Sequence, residues 1–216
     1  FCNCYFMKSY PKQVLEILIS TYPTAKCELI HKNAWELLIG VVLSAQCTDK
    51  RVNMVTKELF KQYPTIQDIN RLDIEKLKEI IRPTGFFNNK AKYVKLAAEK
   101  IIKEYKCIVP DSMEELLKIP GLARKSSNVI LSVWYRKNEG VVVDTHVIRI
   151  ANLLHLTKNR DPKKIENDLI KLYPKKYWER ISTLIVWHGR RICVARNPKC
   201  GDCPLNKICP SALLKK

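Results

Sequence analysis

Apolar residues recur at three- and four-residue spacing in ten segments, and no other hydrophobic period runs through the chain. The segments are 11–20, 34–46, 50–62, 73–81, 89–105, 112–118, 124–136, 145–154, 163–172 and 177–188. That spacing puts one apolar stripe on each helix and forces the helices to bury against one another. Between the segments stand short breaks: Tyr22-Pro23, Tyr63-Pro64, Pro83 to Gly85, Pro120-Gly121 and Tyr173-Pro174. Proline lacks the amide that a helix needs, and glycine frees the backbone, so each break stops a helix. Asp111 followed by Glu114 reads as a capping box for the 112–118 helix. Only Val141, Val142 and Val143 look extended, and three residues are too few for a sheet. An all-α protein with short connections is expected, without internal repeats or a low-complexity linker.

Four cysteines close the chain: Cys193, Cys200, Cys203 and Cys209, with six, two and five residues between them. Four thiolates in so short a polar loop can wrap one metal centre. Structural zinc usually takes two tight Cys-x-x-Cys pairs, and here there is one, so the spacing favours an iron–sulfur centre over zinc. Arg190, Arg191, Arg196, Lys199 and Lys207 make the same segment basic. The whole chain is basic too: 39 Lys and Arg against 21 Asp and Glu give a net charge of +18 over 216 residues. A distributed excess of this size points to a polyanionic partner, with nucleic acid first and a merely soluble basic surface as the plain alternative.

No apolar run is long enough to cross a membrane; the longest, Leu37 to Leu43, contains Gly40. Nine cysteines without a secretion signal argue for a reducing compartment, with Cys27, Cys47 and Cys107 as free thiols. Met7 reads as the true start and residues 1–6 as an artefact ahead of it.

Ile119-Pro120-Gly121 joins two short helices. Such a turn is expected to leave the first amides of the second helix open, which with the helix dipole makes a phosphate site that reads no bases. A packing turn is the plain alternative. Lys125 begins that second helix, four residues past Gly121. The positive end of the dipole and neighbouring Arg124 should both disfavour its protonated form, and an amine so treated can act as a nucleophile. A solvated surface lysine is the competing reading. Nineteen residues on, Asp144 stands ahead of a helix, where it reads first as an N-cap and, compatibly, as a carboxylate able to stabilise positive charge.

Together these residues resemble the endonuclease III family, the helix-hairpin-helix DNA glycosylases that carry a [4Fe–4S] cluster. Four segments match in order: LeuSerAlaGlnCysThrAsp at 43–49, IleProGlyLeuAlaArgLys at 119–125, ValAspThrHisValIleArg at 143–149, and TrpHisGlyArg at 187–190 with the cysteine run behind it. The resemblance implies that Lys125 attacks C1′ of a damaged nucleotide, expels the base and forms a Schiff base, from which β-elimination nicks the strand. Asp144 would stabilise the sugar cation. Cys193, Cys200, Cys203 and Cys209 would hold the cluster, leaving it no open position for substrate. Gln46 would enter the duplex where the lesion was, and Phe86 stands where the family has an apolar wedge, usually leucine. Pro120, Gly121, Leu122, Ala123 and Arg124 would meet the phosphate backbone. His146 is a further pocket candidate, while Arg196 and Lys199 would be presented to DNA by the cluster loop. As plain alternatives, Phe86 would be a buried loop aromatic and Gln46 a satisfied core amide. His31, His155 and His188 show no partner pattern.

The implied fold is two all-α lobes with a cleft between them. One is a six-helix lobe with the hairpin at 27–138; the other joins 1–26 to 139–216 and carries the cluster. The implied activity is removal of oxidised pyrimidines from double-stranded DNA, with lyase action at abasic sites, by a monomer in the cytoplasm near the nucleoid. Ala123 departs from the family, which usually has a second hairpin glycine, and Ser126-Ser127 stands where Thr-Ala is common; the first puts the hairpin geometry in question. Competing functions are an adenine- or thymine-mismatch glycosylase on the same scaffold, both of which lack the lysine, and a non-catalytic cluster protein that binds DNA or senses redox state.

Overall fold

The computed structural model describes residues 9–212; Met7 and the artefact reading of residues 1–6 lie outside the described residues. Eleven α-helices and two 3₁₀ turns make up the regular structure, and no strand occurs among the described residues. The chain divides into two compact units, Cys27–Glu139 and a second built from the chain up to Lys26 and from Gly140 onward. Each has its own apolar core.

The Cys27–Glu139 unit forms around α2 (Ala34–Leu43), whose ten residues are all buried. Asn33 caps it by accepting from the Glu36 amide, and Glu36, itself buried, accepts from Lys32 N–H. Around it stand α3 (Asp49–Gln62), α4 (Ile66–Arg71), α5 (Ile74–Ile81), the long α6 (Phe87–Tyr105), α7 (Met113–Leu117) and α8 (Arg124–Val133). Helix α4 is absent from the sequence reading because six residues present too little apolar period to detect. Local chemistry forms it instead. Thr65 and Asp68 close a reciprocal capping box at its start. At its end the Lys95 ammonium, on α6, donates to the carbonyls of Ile69, Asn70 and Leu72.

The second unit contains α1 (Ser9–Thr21), α9 (Thr145–Leu153), α10 (Pro162–Leu172) and α11 (Trp178–Arg191). Val141 and Val143 are buried in its core, and Ser182 of α11 donates to the Val142 carbonyl, which fixes the extended approach to α9.

Three expectations need correction. The cap of α7 is Ser112, whose hydroxyl accepts from the Glu115 amide; Asp111 instead pairs with Lys137 at 2.5 Å. Helix α2 stops at Leu43, not 46, because Gln46 turns left-handed at φ 53°. Helix α8 stops at Val133, and Arg136 at φ 58° ends any continuation.

On α8, the Ser127 hydroxyl is fully buried without a hydrogen-bond partner. A buried unpaired hydroxyl costs about 1–3 kcal/mol. Ser127→Ala should therefore stabilise the protein by about 1 kcal/mol, read as a higher urea midpoint with unchanged slope.

Candidate active site and metal centre

In the Cys27–Glu139 unit the hairpin forms between α7 and α8. Leu122 N–H donates to the Ile119 carbonyl at 3.2 Å, closing a turn with Pro120 second and Gly121 third at φ +86°. Proline at the second position and positive φ at the third mark a type II turn. A Cβ on Gly121 would also lie 2.8 Å from the Tyr93 Cβ, so glycine is required twice over. Ala123 is not strained: its φ is −126° and ψ 172°, extended backbone open to any residue. The hairpin geometry that its presence put in question is thus intact.

The amides are only partly open, contrary to the simple expectation. That of Leu122 closes the turn, and that of Ala123 donates to the Ser126 hydroxyl at 2.7 Å. Those of Lys125 and Ser126, in the first turn of α8, have no partner among the described residues, as helix starts generally do. Arg124 is exposed and reaches the Glu139 carbonyl at 3.5 Å. The Lys125 side chain is exposed, with no hydrogen bond or ion pair among the described residues. Several other lysines, such as Lys76, Lys100 and Lys118, are tied to glutamates one turn away.

Gln46 and Phe86 lie in the same unit, each at φ near 50° and each exposed, Phe86 at 63%. Neither is the core residue that its plain alternative would make it. Left-handed backbone is uncommon for a bulky side chain and is kept where surroundings impose it. Sequence reading missed a side chain that bonds just ahead of both. Lys90, only 3% exposed, sends its ammonium to the carbonyls of Leu43 and Thr84, both at 2.8 Å. Burial pushes its pKa below the ordinary lysine value, and the Cys47 sulfur opposes that in part.

In the other unit Asp144 caps α9, accepting from the Val147 amide at 2.9 Å. His146 follows in the first turn and packs on α11: a Cβ on Gly189 would lie 2.8 Å from its Nδ1. One turn on, Arg149 donates to the Cys193 carbonyl at 2.5 Å, to the Cys193 sulfur at 3.6 Å and to the Gly189 carbonyl at 3.5 Å. The helix capped by Asp144 is thereby tied to the cysteine loop.

Cys193, Cys200, Cys203 and Cys209 all border one cavity of about 110 Å³, otherwise lined mainly by apolar side chains such as Ile150, Leu154 and Leu205. No disulfide forms among the described cysteines, Cys27, Cys47 and Cys107 included. Zinc–sulfur bonds of about 2.3 Å would draw four sulfurs onto one point. Four cysteine sulfurs around one largely apolar cavity are a donor set that an iron–sulfur cluster accepts. Burial raises the Cys193 and Cys203 thiols toward the neutral form, with Arg149 pulling Cys193 back.

His188, to which sequence reading gave no role, is buried beside this cavity. Its Nδ1 lies 3.0 Å from the Tyr22 hydroxyl and its Nε2 3.6 Å from the Cys203 sulfur. Burial and then Arg149 lower its pKa to about 4, so the ring is neutral at pH 7. Burial also raises the Tyr22 pKa, so the hydroxyl and the ring share a neutral hydrogen bond. The one available signal was position, five residues ahead of Cys193 on the preceding helix. Arg196 and Lys199 are exposed on the loop between the first two cysteines.

Comparison with known proteins agrees with this arrangement. Residues 39–175 match the profile of the HhH-GPD superfamily base excision DNA repair proteins. Residues 193–209, which begin and end on cysteine, match the iron–sulfur binding domain of endonuclease III. An endonuclease III from Synechocystis sp. is 47% identical over 205 residues, covering 95% of this chain and 94% of the relative. A non-covalent endonuclease III–DNA complex superposes with a TM-score of 0.89 at 37% identity, covering 95% of this chain and 97% of that one. A trapped endonuclease III–DNA covalent intermediate gives 0.88, also at 37% identity, with 95% and 98% covered.

A [4Fe–4S] cluster therefore belongs to this chain. Cys203→Ser should abolish the visible iron–thiolate absorbance and release iron. The far-UV helical signal should largely persist, because the core of the Cys27–Glu139 unit contains none of the four cysteines.

Proposed function

The chain belongs to the endonuclease III family of base-excision DNA glycosylases with lyase activity, and from that premise we propose that it removes oxidised pyrimidines from double-stranded DNA through Lys125. The observation that carries this assignment is the unpartnered Lys125 amine in the first turn of α8, directly behind the type II turn. Mismatch glycosylases of this scaffold lack that lysine, and a non-catalytic cluster protein would have no need of it.

As a free amine, Lys125 Nζ attacks C1′ of the flipped nucleotide. The N-glycosidic bond breaks, and the base departs with the bonding electrons and a proton. Nitrogen then expels the ring oxygen to give an imine. Loss of a C2′ proton breaks the C3′–O bond and nicks the strand, and water releases the lysine. Asp144, acceptor of the Val147 amide, offers its carboxylate to the positive charge that grows on the sugar. His146, two residues past Asp144, is a further group for the pocket.

Taking the nucleotide out of the stack leaves a gap, and Gln46 and Phe86 fill it. Their exposure and left-handed backbone support this role. The hairpin from Pro120 to Arg124 grips phosphate with the amides of Lys125 and Ser126. The cysteines at 193, 200, 203 and 209 hold the cluster, which stabilises the loop carrying Arg196 and Lys199. No helix among the described residues is long and apolar enough to cross a membrane. A monomer in the cytoplasm, associated with the nucleoid, fits the net charge of +18.

Borohydride added to the protein with thymine-glycol duplex should trap a covalent adduct. Lys125→Gln should abolish the adduct and lower base release and nicking by roughly three orders of magnitude or more; retention of both would sink the mechanism. Replacing Arg196 and Lys199 together by alanine should leave the cluster absorbance intact. It should also reduce the slope of log Kd against log salt by about 2.

A further inference from the structure

Lys90 is a buried ammonium that the reaction does not use, and its two acceptors end separate elements, each just ahead of a loop. Leu43 is the last residue of α2, and its carbonyl is one of those a helix end leaves without an internal partner. Thr84 is the last residue of the 3₁₀ turn Arg82–Thr84. Gln46 follows the first carbonyl by three residues and Phe86 follows the second by two. The long lysine stem rises from α6, so one side chain joins three elements. Removing an ammonium from water costs more than burying a methionine of similar length. What the charge adds is a directional bond to each loop.

We propose that Lys90 is a positioning residue that locks the Gln46 loop to the Phe86 loop before DNA arrives. The proposal rests on the reading that both side chains enter the duplex. Each loop also carries backbone bonds of its own. After Leu43, Ser44 N–H donates to the Gly40 carbonyl, Cys47 N–H donates to Ser44, and Gln46 is left-handed between them. After Thr84, Gly85 and Phe86 take positive φ in succession, at 70° and 48°, and Lys90 N–H returns to the Phe86 carbonyl at 3.1 Å. Lys90 thus holds the Phe86 loop through both its backbone and its side chain. Two inserting groups fixed at one separation avoid the ordering cost that mobile loops would pay on binding.

The test compares Lys90→Met with the unsubstituted holoprotein on two probes: a thymine-glycol duplex, and a single-stranded oligonucleotide with an abasic site. The single strand has no stack to open and no gap to fill. Lys90→Met should lower kcat/KM on the duplex at least tenfold. Borohydride trapping on the single strand should stay within twofold, with cluster absorbance retained. Equal losses on both probes would mean a general structural role and overturn the proposal, as would no loss on the duplex. Gln46→Ala and Phe86→Ala serve as controls. If neither shows the duplex-specific loss, the insertion reading fails; if both do and Lys90→Met does not, only the lock fails. Should Lys90→Met not fold, nitrogen-15 relaxation of the unsubstituted protein decides. Amides of residues 44–47 and 84–87 should be as rigid as those of α6, and loops looser than the helix would overturn the proposal.

Discussion

Helix α11 is the element on which the cluster-bearing unit closes. Nearly every turn of it satisfies a backbone group distant in sequence. Arg180 donates to the carbonyls of Tyr22, Pro23 and Ala25, Ser182 to Val142, and the Trp187 indole to Lys26. His188 meets Tyr22 on one side and Cys203 on the other. At Gly189 the helix comes so close to α9 that a single methyl would strike Ile150 and His146. The segment just past the N-terminal helix is held from 155 to 166 residues away, so a long loop is closed by side-chain bonds as well as apolar burial.

That contact gives the metal loop a meaning beyond its ligands. The cysteines lie just past the end of α11, and Arg149 of α9 bonds to the first of them. The helix capped by Asp144 is therefore anchored near its middle, at Arg149, to the cysteine loop. On the proposed reading the four thiolates hold the iron and leave no coordination position for substrate, and the chemistry falls to Lys125 and Asp144. In the proposed function the cluster is a brace for this short basic segment.

The sequence was most legible where the physics is local. Helical period located ten helices, and proline with glycine located the turn ahead of α8. Asp144 read as an N-cap and is one, because capping needs only its own residue and the next three. It was least legible where partners are remote. Lys90 looks like any surface lysine, and only its distance to Leu43 and Thr84 separates it from Lys92 or Lys100 nearby. His188 and Arg149 likewise gain roles from contacts 15 to 166 residues away. The misplaced cap at Asp111 is a smaller case, since Lys137 claims that carboxylate and Ser112 is free to cap α7.

The sequence by itself determined an all-helical chain and the family, and it supplied the four thiolates and the lysine on which the proposed chemistry rests. Each depends on residue identities at fixed short spacings, which evolution can change only by changing the chemistry. Tertiary structure alone decided that Ala123 can replace glycine, that Ser127 is buried without a partner, and that Lys90 joins two loops. Those outcomes depend on φ, burial and distance across the fold, and such quantities do not exist until distant segments have packed.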